Sequence, residues 1–391
     1  MMKCVIINCF NNYNYDIRVK PIEAFLIEKG YKCEYITSDF NHVTKSRNIF
    51  NRTKSIQIKV LPYHKNLSVR RLLSHYIFAR KAIQEVKHIK PDLLYVILPP
   101  NSLAWLASRY KRNNKVKLVY DIYDFWPESF PSPKVKNLLK LPFKIWSSLR
   151  DKNLSAADFV ITECNLYQTI LKDVLKGIKT KTIYLAKRET EIDSQPVFDK
   201  DRIHLCYLGA INSIIDISTI IKLVKAINER KPVVLYIIGD GESKDRLIEE
   251  VKGSGAIVED YGKVYDPKEK QQIFDKCHFG LNIMKDTVCV GLTLKSIDYF
   301  QHGLPILNSI QADTAQIVEK YKTGINVTKD NILDVAANVV NANVGELLEM
   351  RENIKKVFNS LFSHESFNEK LEDVFKKLES FIFKQNRILL F

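Results

Sequence analysis

The sequence predicts an α/β protein made of two doubly wound parallel-sheet lobes, followed by a helical C-terminal segment. Three observations predict it. Apolar runs of strand length alternate with amphipathic stretches of helix length. The theme stops at a polar run, Ala186–Pro196, and then starts again. At 391 residues the chain exceeds one typical domain. The expected divisions are residues 1–187, 188–365 and 366–391.

The elements follow in order. Cys4–Asn8 is a first buried strand, and the polar loop Asn11-Asn12-Tyr13-Asn14 leads to a helix over Arg18–Lys29. Gly30 closes that helix and Lys32–Thr37 is the next strand, a unit that opens a parallel sheet. A strand over Ile56–Leu61, a basic helix through Arg70–Lys87 and the run Pro91–Ile97 continue it. Lys117–Tyr120 and Phe159–Thr162 are further strands. In the second half His204–Leu208 runs into Gly209, and Val233–Ile238 runs into Gly239-Asp240-Gly241. Ile257–Glu259, Phe279–Met284, Ile306–Asn308 and Ile325–Val327 complete that sheet. Strands that end in glycine leave a crevice at their carboxyl edge, where nucleotides bind in such sheets. After Asn353 the chain is helical, and the tail Phe381–Phe391 is apolar and aromatic.

Hydrophobic residues make up 46% of the chain, enough for a sizeable core. The seven cysteines form no CxxC pair and the eight histidines no HxH or HxxxH, so neither a disulfide framework nor a metal site is expected. Met1-Met2-Lys3 leads directly into a strand, too short for a secretory h-region, and no apolar run approaches a membrane span. A cytoplasmic setting is expected. The net charge of +15 is concentrated in the first half. Lys45 to Lys90 holds twelve basic residues and one acid, Glu85. Such a surface favours anionic lipid headgroups over nucleic acid. Lys136–Leu149 mixes lysines with Leu138, Phe143, Ile145 and Trp146, a composition suited to peripheral attachment at the cytoplasmic face of a membrane.

The most informative stretch is Gly291–Pro305. Thr293 reads as an N-cap, and Gly303 with Leu304-Pro305 as a helix stop. The helix start offers unpaired N–H groups and a positive dipole end to a phosphate. Leu294 opens the first turn, and Lys295 adds a mobile cation there. Asp298 lies roughly 7–8 Å along the axis from Thr293, about the distance from a diphosphate to its ribose.

This stretch resembles the donor-binding helix of retaining glycosyltransferases of the GT-B fold, as in glycosyltransferase family 4. Thr293, Lys295, Asp298, Tyr299, Gly303 and Pro305 match its motif, with Asp for the usual Glu. The earlier Glu of the family, eight residues upstream, is Val290 here. The resemblance covers nearly the full length and implies two Rossmann-like lobes facing a cleft, the first for the acceptor and the second for the nucleotide sugar, with a C-terminal helix crossing back to the first lobe. Gly209 stands beside the family's diphosphate loop, although the usual Arg is missing. Tyr261 and Gly262 lie in the segment whose backbone reads the base. In the first half, Asp124-Phe125-Trp126-Pro127-Glu128 is similar to the Asp-x-Trp-Pro-Glu phrase of enzymes that build bacterial surface polysaccharides. A carboxylate there suits the activation of an acceptor hydroxyl, with Asp124 first and Glu128 second. Relatives place a His near this point and this stretch has none. Arg18, at a helix start, is a candidate diphosphate or acceptor contact.

The expected activity is transfer of a hexose-type sugar from a nucleotide donor, UDP favoured, to a saccharide acceptor, lipid-linked and used in capsule or O-antigen synthesis. The resemblance implies retention of configuration and no metal or cofactor. The alternatives are a UDP-sugar epimerase of the same fold and a non-catalytic, transferase-like partner subunit.

Overall fold

The computed structural model describes residues 1–10, 17–47, 55–189 and 194–388, with side chains through Leu378 apart from that of Pro133. The loop Asn11–Asn14, Asp16 and the side chains of the tail from Phe381 lie outside the described residues. The chain divides into two compact units, residues 1–185 with 367–391, and residues 186–366.

The first unit contains β1 (Lys3–Ile7), β2 (Lys32–Ser38), the short antiparallel pair β3 (Phe40–Asn41) and β4 (Ser46–Arg47), then β5 (Ser55–Ile58), β6 (Leu93–Leu98), β7 (Lys117–Ile122), β8 (Phe159–Thr162) and β9 (Thr180–Thr182). Seven of these form one sheet in the order β5-β2-β1-β6-β7-β8-β9, and every pairing in it is parallel. Both faces are covered, so β6 reads as the unbroken apolar run Leu-Leu-Tyr-Val-Ile-Leu, buried throughout. The strand order reverses direction between β1 and β6, which places the ligand crevice at their carboxyl ends. The expected strand Ile56–Leu61 is shorter, ending at Ile58.

The helices of this unit are α1 (Val19–Glu28), α2 (Val69–Ile89), α3 (Asn101–Arg112), α4 (Pro133–Leu138), α5 (Lys140–Asp151) and α6 (Asn165–Ile170). Ser68 caps α2 by accepting from Arg71 N, and Lys90 closes it at φ 52°. The segment expected as one basic stretch over Lys136–Leu149 is two helices that meet at Leu139. The long C-terminal helix spans His364–Ile388. Its residues from Phe367 onward belong to the first unit, where Phe367, Leu371, Val374, Phe375 and Leu378 are buried. The Phe375 ring lies 5.4 Å from Phe25, and Lys181 pairs with Asp373.

The second unit carries β10 (Ile203–Leu208), β11 (Val233–Ile238), β12 (Ile257–Gly262), β13 (Phe279–Asn282), β14 (Ile306–Asn308) and β15 (Gly324–Asn326). They form a parallel sheet in the order β12-β11-β10-β13-β14-β15. Its helices are α7 (Ile217–Asn228), α8 (Lys244–Gly253), α9 (Pro267–Lys276), α10 (Leu294–Gln301), α11 (Asp313–Tyr321), α12 (Ile332–Asn341) and α13 (Val344–Val357). Asp216 caps α7 through Thr219 N at 3.1 Å. Asp266 caps α9, which has Pro267 in its first turn. Leu205, Tyr207, Leu223, Leu235, Phe279 and Leu281 belong to the core between sheet and helices. The order reverses between β10 and β13, so this unit too has its crevice at a defined pair of strand ends.

Candidate functional site

In the second unit, β10 exits into Gly209 and β13 leads to α10, so both elements converge on the reversal point. Thr293 caps α10, accepting from Ser296 N at 3.1 Å. The capping loop is held from below by a chain of buried polar groups. Asn282 Nδ2 donates to Ser296 Oγ at 3.0 Å and to Asn308 Oδ1 at 2.9 Å, and Asn308 Nδ2 donates to Asn326 Oδ1 at 2.9 Å. Thr314 Oγ1 donates to Gly291 O at 2.7 Å. None of these asparagines was singled out from sequence. The signal was there: an Asn at the end of each of three successive strands.

Lys295 differs from expectation. It is not a mobile cation, because its Nζ is buried, lacks a hydrogen-bond partner and sits 4.5 Å from the centre of the Tyr207 ring. Its stem runs past Gly209, where an added Cβ would meet Lys295 Cδ at 3.9 Å. Burial pulls its pKa down to about 7. Leu294 is half exposed beside it, at 44%.

The glycine turns behind this helix are dictated by backbone contact. An added Cβ on Gly239 would lie 2.0 Å from Gly209 O, so only glycine allows β10 and β11 to leave the sheet side by side. Asp240 holds its turn by accepting from Gly241 N at 2.8 Å. At the β12 exit, Asp260 accepts from Gly262 N at 2.9 Å and pairs with Lys244 at 2.8 Å. Tyr261 is 37% exposed, with its hydroxyl on Glu259 at 3.0 Å. Tyr299 is structural. Its hydroxyl accepts from Leu208 N at 2.9 Å and donates to Cys206 O at 3.1 Å, tying α10 to β10.

Asp298, the expected ribose contact, carries ion pairs within the protein. Lys187 bonds it directly and Lys270 stands at 3.5 Å, so two ammonium groups already occupy it.

In the first unit the expectation for Arg18 is also corrected. Its guanidinium is buried and bidentate on Asp121, at 2.9 and 2.8 Å, while Nη1 donates to Ile183 O at 2.6 Å. Tyr95 adds its hydroxyl to Asp121 at 2.7 Å. Arg18 is 2% exposed, closed in by these partners. Glu128 is likewise committed, accepting from Arg150 at 3.1 and 2.8 Å. Arg150 is 1% exposed and also bonds Asp151. A carboxylate held this way is a poor base.

Asp124 is placed differently. Ser129 Oγ donates to its Oδ1 at 2.9 Å, and it makes no ion pair among the described residues. Burial raises its pKa, opposed by the Ser129 bond and the charge of Arg71. The neighbouring Trp126 lies 4.8 Å below the Arg71 guanidinium and 5.7 Å from Trp146, whose ring is 6.4 Å from His75. A histidine therefore does stand in this region. It comes from α2, about fifty residues upstream of Asp124, and sequence proximity could not find it.

On the outside of the same layer, α2 exposes Val69, Leu72, Leu73 and Tyr76, and α4 with α5 exposes Leu138, Leu141 and Ile145. Each set follows helical spacing and is interleaved with exposed Arg70, Lys134, Lys140 and Lys144. No helix among the described residues is long and apolar enough to cross a membrane. Among them, too, no group of three His, Cys, Asp or Glu could hold a metal ion.

Two parallel-sheet units of this kind, each with its crevice at a reversal of strand order, define the GT-B fold. Solved structures of that fold match almost the whole chain. Sucrose-phosphate synthase from Thermosynechococcus elongatus matches with a TM-score of 0.72 at 14% identity, covering 97% of this chain and 100% of that one. HepE from Anabaena, solved with UDP and glucose, matches with 0.63 at 13% identity over 96% and 100%. The lipopolysaccharide outer core galactosyltransferase WaaB matches with 0.67 at 15% identity over 96% and 100%. Residues 202–342 match the family model described as glycosyl transferases group 1. No curated protein sequence matches the chain.

Proposed function

We propose that the protein is a glycosyltransferase that moves a sugar from a UDP-sugar to a saccharide acceptor. The observation that carries this reading is the start of α10. A capped helix terminus at the reversal of strand order stands beside a buried ammonium that has no partner of its own. That is an arrangement for a diphosphate: fixed N–H dipoles and one cation stabilise the charge that develops on the leaving group. The site lies wholly within the matched family segment, and HepE was solved with UDP.

In this reading Lys295 and the N–H groups of Leu294 and Lys295 take the diphosphate, and the Thr293 cap presents them. Gly209 gives the phosphates close approach, and the backbone at Tyr261 and Gly262 faces the base. The ribose reaches Asp298 through exchange with one of its lysine partners. Asp124 positions or deprotonates the acceptor hydroxyl. Dipoles and Lys295 make a metal unnecessary for the departure of UDP, and configuration is retained. The acceptor is lipid-linked, and the protein works peripherally at the cytoplasmic face of a bacterial membrane, in surface polysaccharide synthesis.

The test is product analysis with UDP-sugars, after a thermal-shift comparison of UDP, GDP, dTDP and CMP. Transfer to an acceptor supports the reading. Isomerisation of the donor would make the protein an epimerase, and the absence of nucleotide binding would leave a non-catalytic subunit.

A further inference from the structure

We propose that the first unit holds an anion-binding site centred on Arg71, which takes a phosphate or carboxylate group carried by the acceptor. This deepens the transferase reading and rests on it for the word acceptor.

Four arginines are buried among the described residues: Arg18, Arg71, Arg150 and Arg351. Three of them have a carboxylate in contact. Arg18 pairs with Asp121, Arg150 with Glu128 and Asp151, and Arg351 with Asp275. Arg71 is 4% exposed, and no described residue gives it a carboxylate in contact. Its Nη1 donates to Asn66 O at 2.8 Å and its Nε to His75 Nε2 at 3.5 Å, both neutral acceptors. Asp124 acts on it only through space, beyond ion-pair contact. A buried charge without a counter-ion is costly, and its neighbours are the natural place to look for a missing anion.

Those neighbours are arranged for one. Lys45 bonds Asn66 Oδ1, and its Nζ stands 5.1 Å from the Tyr63 ring, which also lies 6.0 Å from the Arg71 guanidinium. Two cations thus share Asn66 and Tyr63. His42 Nδ1 is 2.7 Å from Tyr63 Oη, and His75 Nδ1 is buried with no partner. Burial and the nearby cations keep both imidazoles neutral, so they can donate an N–H without adding charge. Phe10, just after β1, packs its ring 5.2 Å from His42 and 5.6 Å from His75. The cluster therefore gathers at the carboxyl end of β1, beside the reversal of strand order.

The experiment titrates the full-length protein, kept saturated with UDP, with three probes: inorganic diphosphate, farnesyl diphosphate and glucuronate. Tryptophan fluorescence reports the site through Trp126 beneath Arg71. Saturable binding of at least one probe is expected. It should weaken at least tenfold in Lys45→Gln, vanish in Arg71→Gln and persist more weakly in Arg71→Lys. Preference for farnesyl diphosphate assigns the anion to a lipid-linked diphosphate, preference for inorganic diphosphate to a free phosphate group, and preference for glucuronate to a saccharide carboxylate. If Arg71→Gln fails to fold by circular dichroism, Lys45→Gln and Arg71→Lys decide. No binding of any probe to the wild-type protein, or binding unaltered by these changes, overturns the proposal. UDP affinity is measured separately, so loss of the donor reading and loss of the Arg71 site are distinct results.

Discussion

The Lys295 ammonium stands over the Tyr207 ring, 4.5 Å from its centre, with no hydrogen bond to the protein. Among the described residues the Tyr207 ring face is the attraction offered, and it does not replace the lost water. The fold therefore gains little from this charge, and a ligand gains much. Lys295→Met should leave the melting temperature unchanged or raised. UDP affinity should fall by 1.5–3 kcal/mol, roughly 10- to 150-fold, as expected for one charge-assisted contact. Isothermal titration calorimetry with a melting curve checks both halves, and equal affinity in the variant would remove Lys295 from the site.

The same residue predicts a pH dependence. With burial holding its pKa at about 7, Lys295 is charged below that value in the free protein and neutral above it. A diphosphate binds the charged form, so binding above pH 7 must take up a proton. Affinity for UDP-glucose should hold steady from pH 6 to 7 and then weaken, by at most tenfold per unit. Lys295→Met should show a flat profile across the same range. A wild-type profile without the break would contradict the assignment.

Asp298→Asn should have two effects. Lys187 and Lys270 lose their shared counter-charge, which costs about 1–2 kcal/mol for a partly buried cluster. Donor affinity should fall as well if the carboxylate exchanges a lysine for ribose hydroxyls. A variant that is less stable yet binds UDP normally would restrict Asp298 to the fold.

Asp124 and Glu128 should separate cleanly. Asp124→Asn is expected to lower turnover while UDP binding persists, since the residue lies outside the unit proposed to hold the nucleotide. Glu128→Gln leaves the buried Arg150 with Asp151 alone, so it should destabilise by about 2–4 kcal/mol. In that variant, activity per folded molecule should stay near wild type. Progress curves normalised to folded fraction make the comparison.

The exposed stripes of α2, α4 and α5 predict attachment to anionic vesicles. A few engaged lysines contribute about 1 kcal/mol each near such a surface, and salt screens this beyond roughly 8–10 Å. Flotation should show binding to anionic vesicles, little to neutral ones, and release as salt rises. Leu141→Asp and Ile145→Asp together should abolish it without loss of fold, because both side chains are largely exposed, at 68% and 59%. Equal partition onto neutral vesicles would show that charge has no part in it.

What the sequence made legible was local. The cap at Thr293, the turn held by Asp240 and the strands that end in Gly209 and Gly239 are all encoded within a few residues, where propensity and capping act. The partners of Arg18, Glu128 and Asp298 were not legible. Asp121 is 103 residues from Arg18, and Lys187 is 111 from Asp298. A charged residue at a helix start looks the same in sequence whether it faces ligand or closes a buried pair. The Asn282–Asn308–Asn326 chain left a trace, an Asn at the end of each strand, whereas His75 left none, since only the packing of α2 brings it beside Trp146.

The first unit is discontinuous along the chain, and that reorders its assembly. Domains usually complete themselves in the order in which they leave the ribosome. Here residues 186–366 form a continuous unit, whereas the first unit needs residues from Phe367 onward. Until those emerge, Phe25 lacks the Phe375 ring, Lys181 lacks Asp373 and the apolar ground beneath them stays wet. The half of the molecule made first is therefore finished last. A nascent chain stalled before residue 367 would carry a closed second unit beside an open first one, the state in which a chaperone or a protease would find it.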